Sequence, residues 1–292
     1  MKAIKHLFIG LVLIGSCMSC NDLLNEKPKD FLTPGNSYTD KKGFEAALAN
    51  IYRVIRNDFY ATSDMWQNYD LFGVDIDYYV NQVSENGYNE YFKWNTLNAD
   101  NDVSLKWWRR FYSYIFSCNV IIERSEESIV EWNSEEEKNA VVAEARFLRA
   151  FAYRFLANMW GNAPLVLHET NYPQFNYECV TQQELYTQCK EDLEYAIQWM
   201  PDIDNQKGGR ASKVAAQHLL SEILIGLKDY EGAIKQATDV INNPAMSLMT
   251  ERFGKLKDFT FEGYDYQGEK EPWGDVWFDL FREDNFNRIE GN

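Results

Sequence analysis

A cysteine behind an apolar run, a stretch crowded with aromatic rings, and a short alternation of oxygen-bearing side chains are the chemistry-bearing features of this chain. Cys20 follows Met18-Ser19 and precedes the polar Asn21-Asp22. A thiol placed there is a lipidation point, and acyl chains contribute about 0.8 kcal/mol per buried CH2. Cys17, behind Gly15-Ser16, competes for the same role. The CxxC spacing of Cys17 and Cys20 has no second pair to complete a zinc site. Further on, Trp66, Tyr69, Tyr78, Tyr79, Tyr88, Tyr91 and Trp94 are interleaved with Asn68, Asp70, Asp75, Asp77, Asn81 and Gln82. Trp and Tyr offer a flat apolar body with a polar tip, which suits the apolar face of a sugar ring. Trp66, Tyr78, Tyr79 and Trp94 are the candidate stacking platforms, with Asp70 and Asn81 as hydrogen-bonding partners. The competing reading is satellite packing beneath a long loop. Asn98-Ala99-Asp100-Asn101-Asp102 alternates oxygen ligands suited to Ca2+. It lacks the glycine and distal glutamate of an EF-hand loop, so a solvated turn that caps the next helix is the simpler expectation.

Catalysis finds little support. The chain has no HExxH, GxSxG, Walker loop or GxGxxG. Carboxylates are abundant, but nothing selects two at the separation that glycoside hydrolysis requires. The expectation is a binding protein without a cofactor. The formal charge of -16 over 292 residues argues against nucleic acid, whose binding proteins carry basic patches. It also argues against broad adhesion to anionic lipid.

The elements that would position these residues follow from periodicity. Lys2 and Lys5, then Leu7 to Gly15, form a basic and an apolar region of signal-peptide proportions. Residues 1–19 are therefore a lipoprotein signal peptide and 20–39 an extended tether. Residues 40–292 form one all-α domain of tetratricopeptide-like helix pairs with long aromatic-rich loops. Phe44, Leu48, Ile51 and Ile55 mark a helix over 41–56, capped by Thr39 or Asp40. Residues 102–125 form the next helix, with Trp107, Phe111, Tyr114, Ile115 and Cys118 on one side. Ser134 and Glu137 have capping-box spacing and open a helix to Trp160, with Gly161 supplying a left-handed stop. Thr181 and Glu184 open another, to Met200. Helices over 211–227 and 230–243 carry small residues at tetratricopeptide spacing, with Pro244 beyond. Helix pairs of this type bury their faces only by stacking. The pairs read from the sequence are 40–56 with 102–125, 134–160 with 181–199, and 211–227 with 230–243. Glu144, Arg146 and Arg149 have the spacing of a polar network within the scaffold. Of the later cysteines, Cys118 reads as a buried small hydrophobe.

Four stretches together resemble the SusD/RagB nutrient-binding outer-membrane lipoproteins. They are Cys20-Asn21-Asp22-Leu23-Leu24-Asn25-Glu26-Lys27-Pro28, Ala143 to Tyr153 with Trp160-Gly161-Asn162-Ala163-Pro164, Gly209-Arg210-Ala211-Ser212-Lys213, and Trp277-Phe278-Asp279-Leu280-Phe281. The resemblance implies a helical scaffold anchored by lipid to an outer membrane of Bacteroidota type, facing the cell surface. It implies capture of an oligosaccharide or peptide and delivery to a SusC-like TonB-dependent transporter. Members of that family are usually longer, so the chain reads as an N-terminal portion lacking the C-terminal part. Alternatives are a tetratricopeptide-type adaptor for a protein partner, a surface hydrolase, and a non-functional truncated product.

Overall fold

A computed structural model describes residues 37–61 and 102–254, with short pieces at 257–258, 261–264, 270–273, 275–276 and 279. Cys20, Trp66, Asp70, Tyr78, Tyr79, Asn81 and Trp94 lie outside the described residues, as do Asn98 to Asn101.

Helix α1 spans Lys41–Arg56 and continues as a π-helical turn over Asn57–Ala61. Asp40 caps it, its carboxylate accepting from the Gly43 N–H. Phe44, Leu48 and Ile51 recur at helical spacing and are all buried. The residues just before it, expected as tether, already belong to the body. Tyr38 lies edge-on to Phe44 at 5.1 Å, and the Thr39 carbonyl accepts from the Glu131 N–H.

Helix α2 (Asp102–Arg124) starts at Asp102 itself rather than being capped by it. Helix α3 (Glu135–Trp160) is capped by Ser134. Its capping box is closed on one side only, because the Glu137 carboxylate accepts from the Asn133 N–H rather than that of Ser134. A salt bridge to Lys41 and this backbone bond lower the Glu137 carboxyl to about 2. Gly161 ends α3 at φ 75° and ψ -97°, a positive φ as expected but outside the left-handed helical well. Helix α4 (Gln182–Trp199) has the complete box, with Thr181 and Glu184 bonded in both directions. Helices α5 (Lys213–Gly226) and α6 (Tyr230–Ile241) follow. Among the described residues there are also two short antiparallel pairs: β1 (Ala163–Pro164) with β2 (Cys179–Val180), and β3 (Phe261–Tyr264) with β4 (Lys270–Trp273).

The helices stack in chain order. Contact is most extensive between α3 and α4, and α2, α5 and α6 each pack on their sequence neighbours, with α1 against both α2 and α3. One core runs through the stack from Phe44 and Trp107 to Leu193 and Ile223. Small residues set the closest approach: a Cβ at Gly226 would lie 2.8 Å from the Tyr186 ring. Helix α6 leaves Tyr230, Ile234 and Ile241 exposed. Among the described residues, no helix is long and apolar enough to cross a membrane.

Polar networks inside this core tie the helices to one another. Arg149 of α3 forms a forked ion pair with Asp192 of α4, both N–O distances being 2.7 Å. Neither side chain is more than 5% exposed. The same guanidinium donates to Asn119 of α2 at 2.9 Å. Arg210 bridges Glu45 of α1 and Glu144 of α3 at 2.8 and 3.2 Å. Glu144, Arg146 and Arg149 thus act within the scaffold, Arg146 lying over the Tyr195 ring at 4.3 Å. Cys118 is fully buried, and burial pushes its thiol up to about 12.

Removing one member of a buried ion pair costs about 3–5 kcal/mol, because the partner charge stays buried alone. Arg149→Ala therefore destabilises the fold by about that amount in urea denaturation, and the double change Arg149→Met with Asp192→Leu recovers most of it. Equal loss in single and double variants contradicts this account. Burial raises the Glu144 carboxyl above its ordinary range, against the lowering effect of Arg210. Its stabilising contribution is therefore present below the unfolded carboxylate pKa and lost as pH rises through the folded value. Glu144→Gln should raise Tm by about 2 °C at pH 7, with the gain vanishing towards pH 4. Thermal scans across that pH range read the sign directly.

Candidate functional site

Helix α2 has two aromatic faces. Trp107, Phe111 and Ile115 point into the core. Trp108, Tyr112 and Phe116 follow each of them by one residue, so they form an adjacent stripe at helical spacing. This second stripe is one wall of a pocket of about 280 Å3. Pro164 of β1, with Val166, Thr170 and Tyr177 from the segment between β1 and β2, forms the other wall, and Ile115 also lines the pocket. Trp108 lies edge-on to Trp160 at 5.3 Å and tilted against Tyr112 at 5.0 Å. Phe116 and Tyr177 are 44% and 42% exposed, and Tyr172 and Phe175 stand almost free on the loop beyond.

The loop wall is held by groups that reach it from α2 and α3. The Asn119 amide donates to the carbonyls of Val166 and His168 at 2.9 and 3.2 Å. The Tyr153 hydroxyl donates to the Val166 carbonyl and accepts from the Val166 N–H. The Tyr112 hydroxyl donates to the Pro164 carbonyl at 2.7 Å. Burial raises both phenols well above the ordinary tyrosine range, so both remain hydrogen-bond donors at neutral pH. Further along, Glu123 meets His168 Nδ1 at 2.5 Å and accepts from the Glu169 N–H, while Arg124 pairs with Glu169 at 2.8 Å. The pocket wall is thus referred back to the Arg149–Asp192 pair through Asn119.

None of the aromatic candidates read from 62–100 is among the described residues. The pocket uses residues that the sequence reading passed over. One signal was available: aromatic residues at 107–108 and 111–112, with Phe116 beyond, give α2 a wider apolar arc than one neighbour can cover. Another was the aperiodic Tyr172-Pro173-Gln174-Phe175-Asn176-Tyr177 run between two helices. The chain re-enters described structure at Asp102, six positions before Trp108, or about 9 Å along the helix.

The helix stack has counterparts among known proteins. Residues 26–225 match the SusD-like family described as "Starch-binding associating with outer membrane". A SusD-like protein of Formosa agariphila is 24% identical over 264 residues, covering 84% of this chain and 47% of its own length. A SusD-like protein of Bacteroides ovatus is 25% identical, covering 80% of this chain and 43% of itself. The chain thus spans about half the length of the curated relatives it matches. Among solved structures, a SusD superfamily protein of Bacteroides vulgatus shares the fold at a TM-score of 0.64 and 22% identity, covering 76% of this chain and 48% of itself. A laminarin-binding SusD-like protein aligns at a TM-score of 0.63 with 26% identity, covering 74% of this chain and 48% of itself. The family match extends over more than half of the sequence, and its helical fold is that of the solved members: this chain belongs to the SusD-like family.

Proposed function

We propose that this chain captures an oligosaccharide at the outer face of an outer membrane and passes it to a SusC-like TonB-dependent transporter. The observation that carries the reading is the aromatic pocket on α2. Its first lining residue, Trp108, comes six positions after Asp102, where the described structure resumes behind the aromatic-rich stretch 62–101 of the sequence. Rings at that position supply stacking surface, and Asn and Asp side chains of the stretch supply hydrogen bonds. Trp66, Tyr78, Tyr79, Trp94, Asp70 and Asn81 are proposed to complete the site. A solved relative is named as laminarin-binding and another was solved with a xylogluco-oligosaccharide, which supports glycan rather than peptide. The role is binding rather than catalysis, in keeping with the starch-binding description of the family and the laminarin-binding relative, and because energy for uptake comes from the transporter, no cofactor is needed. The anchor is proposed at Cys20. An adaptor role is the second reading, favoured by the exposed Tyr230, Ile234 and Ile241 on α6.

Affinity electrophoresis of the full chain in gels containing starch, laminarin or xyloglucan tests the glycan reading. Retardation in at least one gel is expected, and Phe116→Ala with Tyr177→Ala should weaken it about tenfold. Unchanged mobility in every gel contradicts glycan capture. Cys20→Ala should move the protein from the membrane to the soluble fraction, and its retention in the membrane fraction contradicts the anchor.

A further inference from the structure

The segment between β1 and β2 leaves its rings uncovered. Tyr172 and Phe175 are 70% and 89% exposed. Each stands two residues from one that lines the α2 pocket, Tyr172 from Thr170 and Phe175 from Tyr177. Along the chain, both are thus rooted within about 7 Å of the cavity wall. Asn171, Gln174 and Asn176 alternate with these rings and are exposed, with their amides open. An amide offers donors and an acceptor together. Alternation of ring and amide matches a sugar, whose ring faces are apolar and whose rim is made of hydroxyls. A protein interface instead favours a contiguous apolar centre with polar groups at its rim.

The charges around the pocket are one-sided. None of its lining residues is charged. Positions 164–181 hold no lysine or arginine and two acidic residues, Glu169 and Glu178. Arg124, which reaches this segment from α2, is paired with Glu169 and Glu127. Arg109, exposed on α2 next to Trp108, does not line the pocket. The stretch 62–101, which holds the residues proposed above to complete the site, has seven acidic residues and one lysine, Lys93. A carboxylate or sulfate carried by a sugar needs a cation, best an arginine fork, in place of its water. Here it would meet acidic surroundings on a chain of formal charge -16, whose field repels a polyanion before contact.

We infer that this face selects an uncharged oligosaccharide, with Tyr172 and Phe175 as an outer stacking subsite beside the pocket; this rests on the glycan-capture reading above and specifies its ligand class. One sugar sits between Phe116 and Tyr177. Its neighbours lie on Tyr172 and Phe175, with Asn171, Gln174 and Asn176 bonding their hydroxyls. Uronic-acid and sulfated glycans are rejected. Binding without ion pairs is also insensitive to salt, which screens only charge.

Affinity electrophoresis of the full chain tests this with polymers that differ in charge. Starch, laminarin and xyloglucan are each cast unmodified, as the hydroxyethyl ether and as the carboxymethyl ether, at equal low substitution. The two ethers add groups of similar size, one neutral and one anionic. Polygalacturonate and alginate serve as native polyanions. Retardation by a neutral polymer should survive hydroxyethylation and high salt, and should weaken about tenfold or more on carboxymethylation, the effect of placing like charges together. The polyanions should give none. Tyr172→Ala with Phe175→Ala, both on exposed rings, should weaken retardation by the neutral polymer about tenfold, as the loss of two stacking contacts implies. Retardation by a carboxymethyl ether or a native polyanion as strong as by the neutral polymer overturns the charge selection and leaves glycan capture standing. Equal loss on both ethers also overturns it, since bulk rather than charge is then sensed. Full retardation of the double variant overturns the outer subsite. A chain unretarded in every gel overturns glycan capture itself and this assignment with it.

Discussion

The forked pair between Arg149 and Asp192 is the interaction on which the arrangement of the site depends. It joins α3 to α4 in the interior, where an unpaired charge would be far more costly than in water. A buried pair of this kind need not stabilise the fold beyond what apolar residues would achieve. Its value here is directional. Arg149 has one further N–H aimed at Asn119, which fixes the orientation of that amide. The amide in turn holds two carbonyls of the loop that walls the pocket. A charge pair on one side of the core thus sets the position of backbone on another, across three helices.

Much of the helical frame was legible in the residues. Thr181 and Glu184 form both halves of a capping box because Glu184 is free to turn back on the N-cap. Ser134 and Glu137 have the same spacing, yet Glu137 is drawn to Asn133 and to Lys41 of α1. Local spacing says which bonds are available, and tertiary neighbours decide which are made. The same limit explains the site. Periodicity identified the buried face of α2 correctly, with Trp107, Phe111 and Ile115 inward. It does not say what meets the adjacent stripe. That surface becomes a pocket only because a segment some fifty residues later is tied across it by Tyr112, Asn119 and Tyr153. The short β1–β2 pair that closes this segment is too brief to leave an alternating pattern in the sequence.

The stacking of α3 to α6 follows repeat logic, each helix covering its predecessor. The stack has unlike ends. At one, α1 and the π-helical turn are closed by Phe59 against Trp107, Phe151 and Phe155. At the other, α6 buries Ala233 but turns Tyr230, Ile234 and Ile241 outward on one stripe. Among the described residues, the two ends of the stack therefore differ in chemistry as well as in position.

The junction ahead of α1 has a mechanical meaning. Tyr38 is seated against Phe44, and Thr39 shares a backbone hydrogen bond with Glu131 in a parallel bridge. Tension arriving through the preceding chain is first borne by that bond, by the ring contact and by the Asp40 cap. From there it divides between the axis of α1 and the turn that joins α2 to α3. Arg124, whose guanidinium lies over the Tyr38 ring at 5.9 Å, also pairs with Glu169 of the segment that walls the pocket. A pull at the amino-terminal end is therefore transmitted to the loop wall as well as along α1.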